Sequence, residues 1–166
     1  MEYEIVYLGL GSNRGDRIGY LETAVGMITK KIGKVFSKSS IYMSEPWGFM
    51  DDHFFLNQVI WVKTLLSPLE VLDTIREIEN ELGRKRSGKG YKARTMDIDI
   101  LLYSDKVIDL QNLKIPHPLL PDRNFVLIPL AEIAGSYIHP VLQKSVDCLL
   151  KECNDQKQVT ILKFKI

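Results

Sequence analysis

Two aspartates, Asp97 and Asp99, stand in the segment MDIDILLY (96–103), which otherwise has the composition of a buried strand. Side chains alternate along a strand, so both carboxylates point to one face and lie roughly 6.5–7 Å apart. Two buried like charges are strongly unfavourable unless a cation shares them. This spacing suits two divalent cations about 3.5–4 Å apart. The pair therefore predicts a Mg²⁺ site that water and a substrate's phosphate oxygens would complete.

The segment before this strand supplies the opposite charge. Residues 84–94, RKRSGKGYKAR, contain six lysines and arginines, no acidic residue, and glycines at positions 88 and 90. Cations that hold an oligophosphate beside a two-carboxylate metal site are what phosphoryl transfer requires. We therefore expect a mobile loop that becomes ordered over the bound phosphates and excludes water from them.

Each feature alone also has an ordinary explanation. Two aspartates can be solvated at a strand edge, and a run of positive charge is usually a solvated turn. Their adjacency favours a shared ligand instead. A two-metal nuclease or nucleotidyltransferase would fit the same residues. Such an enzyme should carry a basic stripe for a long polyanion, and the net charge of +1 argues against one.

The glycines near the start, in GLGSNRG (9–15), suggest a dinucleotide-binding motif. The G-x-G-x-x-G spacing is not met, because Gly9, Gly11 and Gly15 leave one residue too many. The sequence also lacks a G-x-x-x-x-G-K-[ST] phosphate loop. We therefore interpret the segment as a tight turn between a strand and a helix.

Length and composition predict one domain over residues 1–166, with an ordinary globular balance of 45% hydrophobic and 26% charged residues. No apolar run approaches the ~20 residues that span a bilayer, and the N-terminal segment does not resemble a signal peptide. Cys148 and Cys153 form no C-x-x-C pair, which favours packing in a reducing compartment. We expect a cytoplasmic protein without nucleic-acid, membrane or obligatory protein partners.

Hydrophobic patterns predict intermixed strands and helices. Ser67, Pro68 and Glu70 form a helix-start signal, and Gly83 should end that helix. The predicted strands cover residues 5–10, 34–43, 54–63, 96–103 and 158–164, and the other helices cover 18–32, 124–134 with a break at Pro129, and 145–152. The order lacks strict β-α-β alternation. It favours an α+β, ferredoxin-like sandwich: a mostly antiparallel sheet with helices packed on it.

Several longer motifs resemble one family, 6-hydroxymethyl-7,8-dihydropterin pyrophosphokinase. The matching segments, in the family's order and spacing, are LGLGSNRGD, YMSEPWGF, FFLNQVI, ARTMDIDILLY and IPHPLLPDRNFVLIPLAEIA. The resemblance covers nearly the whole chain and is far more specific than the two aspartates alone. It implies a ferredoxin-like fold and transfer of pyrophosphate from ATP, the co-substrate, to a pterin alcohol in folate biosynthesis.

The resemblance also implies roles for particular residues. Asp97 and Asp99 would bind two Mg²⁺ ions, and Arg84 and Arg94 would be the catalytic cations. The implied ATP-binding residues are Glu79, Arg86, Ile100, Lys114, His117 and Arg123. The implied pterin-binding residues are Ser44, Glu45, Trp47, Phe55, Asn57, Tyr91 and Phe125. Asn57 would read the edge of the pterin ring, and Phe55 and Phe125 would stack on its two faces.

One stretch departs from the family's pattern. Where the family commonly has arginine-tryptophan-glycine-proline-arginine-threonine, this chain has tyrosine at 91, lysine at 92 and alanine at 93. The change could alter loop closure.

A pterin or nucleotide sensor without activity is a further alternative. Retention of both aspartates and both loop arginines argues against it, because a sensor has no transition state to stabilise.

Overall fold

The computed structural model of this protein describes residues 2–46, 53–83 and 95–163. Its strands are β1 (Glu4–Ser12), β2 (Gly33–Lys38), β3 (Tyr42–Ser44), β4 (Phe55–Thr64), β5 (Asp97–Tyr103), β6 (Ile108–Asp109), β7 (Lys114–Ile115) and β8 (Val159–Ile161). Its α-helices are α1 (Arg17–Lys31), α2 (Pro68–Glu81), α3 (Asn124–Ala134) and α4 (Val146–Glu152). A short 3₁₀ helix covers Leu120–Asp122.

One antiparallel sheet organises the fold. Its strands follow the order β5-β1-β4-β3-β8, and β2 also pairs with β4. Helices α1 and α2 pack on one face through residues such as Leu21, Ile28 and Ile75. Helices α3 and α4 pack on the other face, against Val59 and Leu101. The predicted α+β arrangement is confirmed.

The predicted start of α2 is confirmed in detail. The Ser67 hydroxyl accepts a hydrogen bond from the Glu70 backbone N–H, and the Glu70 carboxylate accepts one from the Ser67 backbone N–H. Pro68 occupies the first turn, where its missing N–H costs nothing. Gly83 follows the helix with a φ of +87°, a backbone conformation that favours glycine.

The breaks in two elements were predicted wrongly: one predicted strand is divided, and one helix predicted to break is continuous. The predicted strand over 34–43 is divided into β2 and β3, because Ser39 leaves the pattern and its side chain accepts the backbone N–H of Val59. Pro129 does not break the helix over 124–134, since α3 is continuous through it. Buried contacts on both sides of the proline, at Val126, Leu127 and Leu130, stabilise this helix.

The predicted alternation along β5 holds only for its first half. Leu8 pairs with Ile100 but Tyr7 pairs with Leu102, so Leu101 is an extra residue in a β-bulge. The bulge shifts the alternation by one residue. Strict alternation would put Tyr103 on the same face as Asp97, but after the bulge it packs on the α1/α2 side.

No helix in the described ranges is long and apolar enough to cross a membrane.

Candidate active site

The end of β1 and the starts of β4 and β5 meet at a pocket of about 120 Å³. The pocket lies on the sheet face that α3 and α4 partly cover, where the side chains of β4 and β5 alternate into it. The sequence-predicted residues that line it are Ser44, Glu45, Phe55, Asn57, Asp97, Asp99, His117, Arg123 and Phe125. Residues separated by up to 81 positions, from Ser44 to Phe125, thus meet in one cavity.

Asp97 and Asp99 both point into the pocket from the first half of β5, before the bulge, and both are partly buried. Their neighbours across the sheet are glycines, because Asp97 pairs with Gly11 and Asp99 with Gly9 on β1. Strand β1 therefore adds no side chain beside the carboxylates, and Leu101 and Asn57 approach its backbone closely.

These two glycines were missed as functional residues. Gly9 lay at the end of the predicted strand 5–10, but the sequence interpretation placed Gly11 in the turn, and that was wrong, since β1 continues to Ser12. A Cβ on Gly11 would lie 3.3 Å from the Asn57 Oδ1, and one on Gly9 would lie 3.4 Å from the Leu101 side chain. Two glycines at a spacing of two residues in a strand were the available signal, because that spacing puts both on one face.

The donor set at the aspartates fits Mg²⁺. Within the part of the chain that the structure describes, no three His, Cys, Asp or Glu side chains come together around one point. A centre with two carboxylates suits an ion that takes one or two protein ligands and completes its shell with water and phosphate oxygens. It does not suit zinc, which prefers a full set of nitrogen and sulfur ligands.

Asn57 has a fixed orientation at the opposite side of the pocket. Its Nδ2 donates a 2.7 Å hydrogen bond to the Ser44 Oγ, and both residues are buried. The carbonyl oxygen of the amide, Oδ1, therefore remains as the group with which Asn57 can accept hydrogen bonds from a ligand. Phe55 and Phe125 add aromatic surface to the same pocket. The arrangement suits a flat heterocycle that carries N–H donors on its edge.

The turn after β1 positions the start of β4, and with it Phe55. Asn13 donates a 3.3 Å hydrogen bond from its amide to the His53 carbonyl. Arg17 donates a 2.7 Å hydrogen bond to the Phe54 carbonyl. The GSNRG segment thus does form a turn, as predicted, over its second half. Asn13 of this turn and Arg17 at the start of α1 together hold the chain that leads into the pocket.

His117 lies in the pocket as a neutral ring. Its Nδ1 accepts the backbone N–H of Leu119 at 3.1 Å, so the proton of the neutral ring is on Nε2. Burial, and then the positive charge of Arg123, lower the pKa of His117 to about 4, although Asp97 acts in the opposite direction. The ring therefore offers one N–H donor at neutral pH and no positive charge.

Arg123 provides the cationic wall beside His117. Its guanidinium lies 5.4 Å from the centre of the Phe125 ring, and the side chain is buried. Arg123 directly precedes α3, so it stands at the positive end of that helix dipole. Positive charge from the arginine and the helix together favours an anionic group in this part of the pocket.

Comparison with known proteins places this site in one family. Residues 7–135 match the family 7,8-dihydro-6-hydroxymethylpterin-pyrophosphokinase. The chain is 46% identical over 139 residues to the 2-amino-4-hydroxy-6-hydroxymethyldihydropteridine pyrophosphokinase of Aquifex aeolicus, which covers 84% of this chain and 86% of that protein. The chain belongs to this family. It transfers pyrophosphate from ATP to the hydroxymethyl group of 6-hydroxymethyl-7,8-dihydropterin, a step of folate biosynthesis.

Other pyrophosphokinases of this family show similar agreement. The Bacillus subtilis protein of the same description is 45% identical over 130 residues, which cover 78% of this chain and 77% of that protein. The Haemophilus influenzae protein is 37% identical over 156 residues, covering 93% of this chain and 96% of that protein. The family resemblance seen in the sequence motifs is confirmed.

Solved structures give the fold of this pyrophosphokinase. The chain superimposes on wild-type Plasmodium falciparum HPPK-DHPS with pteroate at a TM-score of 0.76 and 20% identity. The match covers 91% of this chain and 44% of that chain, so this protein spans less than half of that chain. The pyrophosphokinase fold is ferredoxin-like, as predicted.

Some predicted site residues of this pyrophosphokinase lie away from the pocket. Ile100 is buried in the core on the α1/α2 side of the sheet. Lys114, on β7, is exposed and forms a 2.8 Å ion pair with Asp109. Glu79 is buried on α2, where its carboxylate accepts the backbone N–H of Ile98. The predicted residues Trp47, Arg84, Arg86, Tyr91 and Arg94, and the loop expected to close over the phosphates, lie outside the described residues.

Other pocket residues of this pyrophosphokinase were not singled out from the sequence. They are Leu10, Gln58, Val59, Leu101 and Val126. Most are apolar, and an apolar residue in a strand or helix carries no signal that separates pocket from core. Glu45 was predicted, and its carboxylate lies 3.4 Å from the Lys157 ammonium at the pocket rim.

Proposed function

We propose that the transfer takes place in this pocket, with the phosphates of ATP held at Asp97 and Asp99 through two Mg²⁺ ions and the pterin held at Asn57. The observation that supports this proposal is the meeting of two opposite chemistries in one cavity. A carboxylate pair above a glycine floor lies at one side, and an oriented amide with aromatic neighbours lies at the other. The first suits a metal-bound phosphate, and the second suits a flat polar ring.

Recognition of the pterin begins at Asn57. The relatives' names describe a ring with a 2-amino group, whose N–H bonds are donors. Because Ser44 holds the Asn57 Nδ2, the Asn57 Oδ1 accepts a hydrogen bond from this donor edge. Phe55 and Phe125 stack on the ring, and Glu45, Trp47 and Tyr91 complete the pterin side by family resemblance.

Recognition of ATP involves the opposite wall. The His117 Nε2–H and the Arg123 guanidinium bind phosphate oxygens, which are acceptors and anionic. Mg²⁺, when bound, polarises the phosphoryl oxygens and offsets the charge that develops on them. By resemblance, Arg84 and Arg94 stabilise the transferring group. By resemblance, Arg86, Ile100 and Lys114 are also assigned to ATP, although Ile100 and Lys114 lie away from the described pocket.

The chemical step is one in-line displacement. The pterin hydroxymethyl oxygen forms a bond to the β-phosphorus, and the bond from that phosphorus to the bridging α-phosphate oxygen breaks. AMP leaves with the electron pair of that bond, and the hydroxyl proton is released. Pocket residues act by positioning and electrostatics, which are the main sources of catalysis in phosphoryl transfer. Both substrates are small molecules, and we place the reaction in the cytoplasm, with no nucleic-acid or obligatory protein partner.

Release of AMP tests this function directly. ATP, Mg²⁺ and the pterin alcohol should together give AMP and a pterin diphosphate in equal amounts, separated by chromatography. Omitting either Mg²⁺ or the pterin should stop AMP formation. Production of ADP, or of AMP at the same rate without pterin, would contradict the proposal. Tighter binding of fluorescent DNA than of fluorescent ATP would instead favour the two-metal nuclease or nucleotidyltransferase.

A further inference from the structure

Glu79 is a buried carboxylate that does not line the pocket. It lies on α2, two residues before the end of this helix at Glu81, and only 1% of its surface is exposed. Its Oε2 accepts the backbone N–H of Ile98 at 3.0 Å. Ile98 is the residue between Asp97 and Asp99, so this hydrogen bond holds the backbone that joins the two proposed metal ligands.

The position of β5 in the sheet explains why this hydrogen bond is needed. Among the described strands, β5 is at one end of the main sheet and pairs with β1 alone. Backbone N–H groups alternate in direction along a strand, so those of Asp97 and Asp99 face β1 while that of Ile98 faces outward. A buried outward N–H requires an acceptor. Helix α2 supplies this acceptor with Glu79.

A buried carboxylate is a costly acceptor, and it stands near two others on β5. An apolar neighbour would be the cheaper choice for the core alone, since burying charge is unfavourable. This position nevertheless needs an acceptor that reaches the Ile98 N–H, because that buried group would otherwise lose its hydrogen bond. Partners that orient metal ligands commonly influence metal affinity in this way.

We propose that Glu79 is a positioning residue for the Asp97–Asp99 pair. Its hydrogen bond to the Ile98 N–H holds the start of β5 so that both carboxylates keep the spacing that the metal ions require. The inference rests on the proposed Mg²⁺ site. It differs from the resemblance-based assignment, in which Glu79 contacts ATP, because the side chain lies behind the strand and not in the pocket.

Three substitutions separate reach, charge and hydrogen bonding. Glu79→Gln keeps an acceptor oxygen at the same length and removes the charge. Glu79→Asp keeps the charge but withdraws the carboxylate from Ile98 by one methylene, and Glu79→Met removes both properties. The control is Glu77→Met, which replaces an exposed glutamate on the same helix. Binding of Mn²⁺ with a non-hydrolysable ATP analogue, Mg²⁺ dependence of AMP release, and hydrogen exchange at Ile98 are measured for each.

The proposal expects Glu79→Asp and Glu79→Met to weaken Mn²⁺ binding and raise the half-saturating Mg²⁺ concentration about 10–100-fold. Exchange at Ile98 should be faster in both, while Glu79→Gln and Glu77→Met should stay within a few-fold of the parent protein. If Glu79→Met does not fold, Glu79→Asp carries the same expectation.

Either of two results would overturn this role. One is unchanged metal dependence in both Glu79→Asp and Glu79→Met. The other is a Glu79→Gln variant as impaired in metal binding as Glu79→Asp, since the charge rather than the hydrogen bond would then matter.

A selective rise of the KM for MgATP at saturating Mg²⁺ would instead indicate direct contact with ATP. Absence of pterin-dependent AMP release from the parent protein would contradict the proposed function, whereas exchange at Ile98 in the metal-free protein tests the hydrogen bond separately.

Discussion

Two histidines of this protein are held by the same kind of turn. In His117-Pro118-Leu119 the ring Nδ1 accepts the backbone N–H of Leu119 at 3.1 Å. In His139-Pro140-Val141-Leu142 the ring Nδ1 accepts the N–H groups of Val141 at 3.2 Å and Leu142 at 3.0 Å. Burial lowers the pKa of both rings. Each ring is therefore neutral at pH 7, with its proton on Nε2.

The two turns differ in what lies next to them. His117 lines the pocket, and its charged neighbours are Arg123 and Asp97. His139 is buried beside a loop, where its own backbone bonds to Lys144 and Gln143. The same local sequence thus produces the same ring geometry in both places. A function at His117 comes from tertiary neighbours and not from the turn itself.

Of the substitutions considered, loss of either aspartate in the pocket that His117 lines should have the largest effect on turnover. Asp97→Asn or Asp99→Asn should lower kcat by at least about 10²–10³-fold, or about 3–4 kcal/mol, because a preorganised charge at the reacting group is lost. Folding should persist, since one of two repelling carboxylates is removed. AMP release at saturating Mg²⁺ measures the loss, with the exposed Asp73→Asn as the control. Near-normal turnover in either variant would refute the two-metal assignment.

A smaller effect, confined to one substrate, is expected on the opposite wall of the pocket. Asn57→Leu has similar volume but cannot accept from the pterin, so pterin affinity should fall about 10–100-fold, or 1–3 kcal/mol. MgATP affinity should stay within a few-fold, because His117 and Arg123 are unchanged. Isothermal titration with each ligand separates the two effects. Equal losses for both ligands would mean that Asn57 and its Ser44 hydrogen bond serve the scaffold only.

Matched substitutions of the two histidines test the comparison itself. An asparagine side chain can accept the same backbone N–H two residues on, but it lacks the ring Nε2–H. His117→Asn should therefore lower kcat/KM for MgATP about tenfold, the cost of one hydrogen bond to a charged group. His139→Asn should leave kcat/KM unchanged. Steady-state kinetics on both variants decides the matter, and equal activity losses would remove the distinction between the turns.

Local sequence patterns predicted those parts of the site that depend on one element at a time. Alternation along β5 placed Asp97 and Asp99 on one face. The helix start at Ser67 was likewise local, because its capping groups are three residues apart. The order of elements favoured the α+β sandwich, and the family motifs implied which residues of β3, β4 and β5 belong to one site.

Several features that were not predicted depend on a partner in another element of the fold. Leu101 forms a bulge only relative to β1, and its own sequence is an unbroken apolar run. Gly11 becomes part of the pocket floor because Asp97 and Asn57 lie on its two sides. Glu79 reaches Ile98 across 19 residues of sequence, so helix periodicity could identify it only as a polar residue on a buried face. Such pairings are tertiary, so the local sequence does not identify the partner.

The smallest expected effect is a loss of folding stability at acidic pH. Both rings have a pKa lower than that of an unfolded histidine, about 6.5, so the unfolded chain binds more protons as pH falls below that value. The stabilisation that neutral rings provide is therefore complete above pH 6.5 and is lost as pH falls toward 4 for His117. Each ring contributes at most about 1.4 kcal/mol per pH unit.

Urea unfolding in EDTA at pH 8, 6 and 5 measures this loss in the free energy of unfolding. Stability of the parent protein should fall over this range, and more gently in His117→Asn and in His139→Asn, because each variant lacks one proton-binding group of the unfolded chain. Here the two turns should behave alike, in contrast to their effects on turnover. An undiminished pH dependence in His139→Asn would mean that its ring is not held neutral by the turn, and the structural parallel between the two histidines would fail.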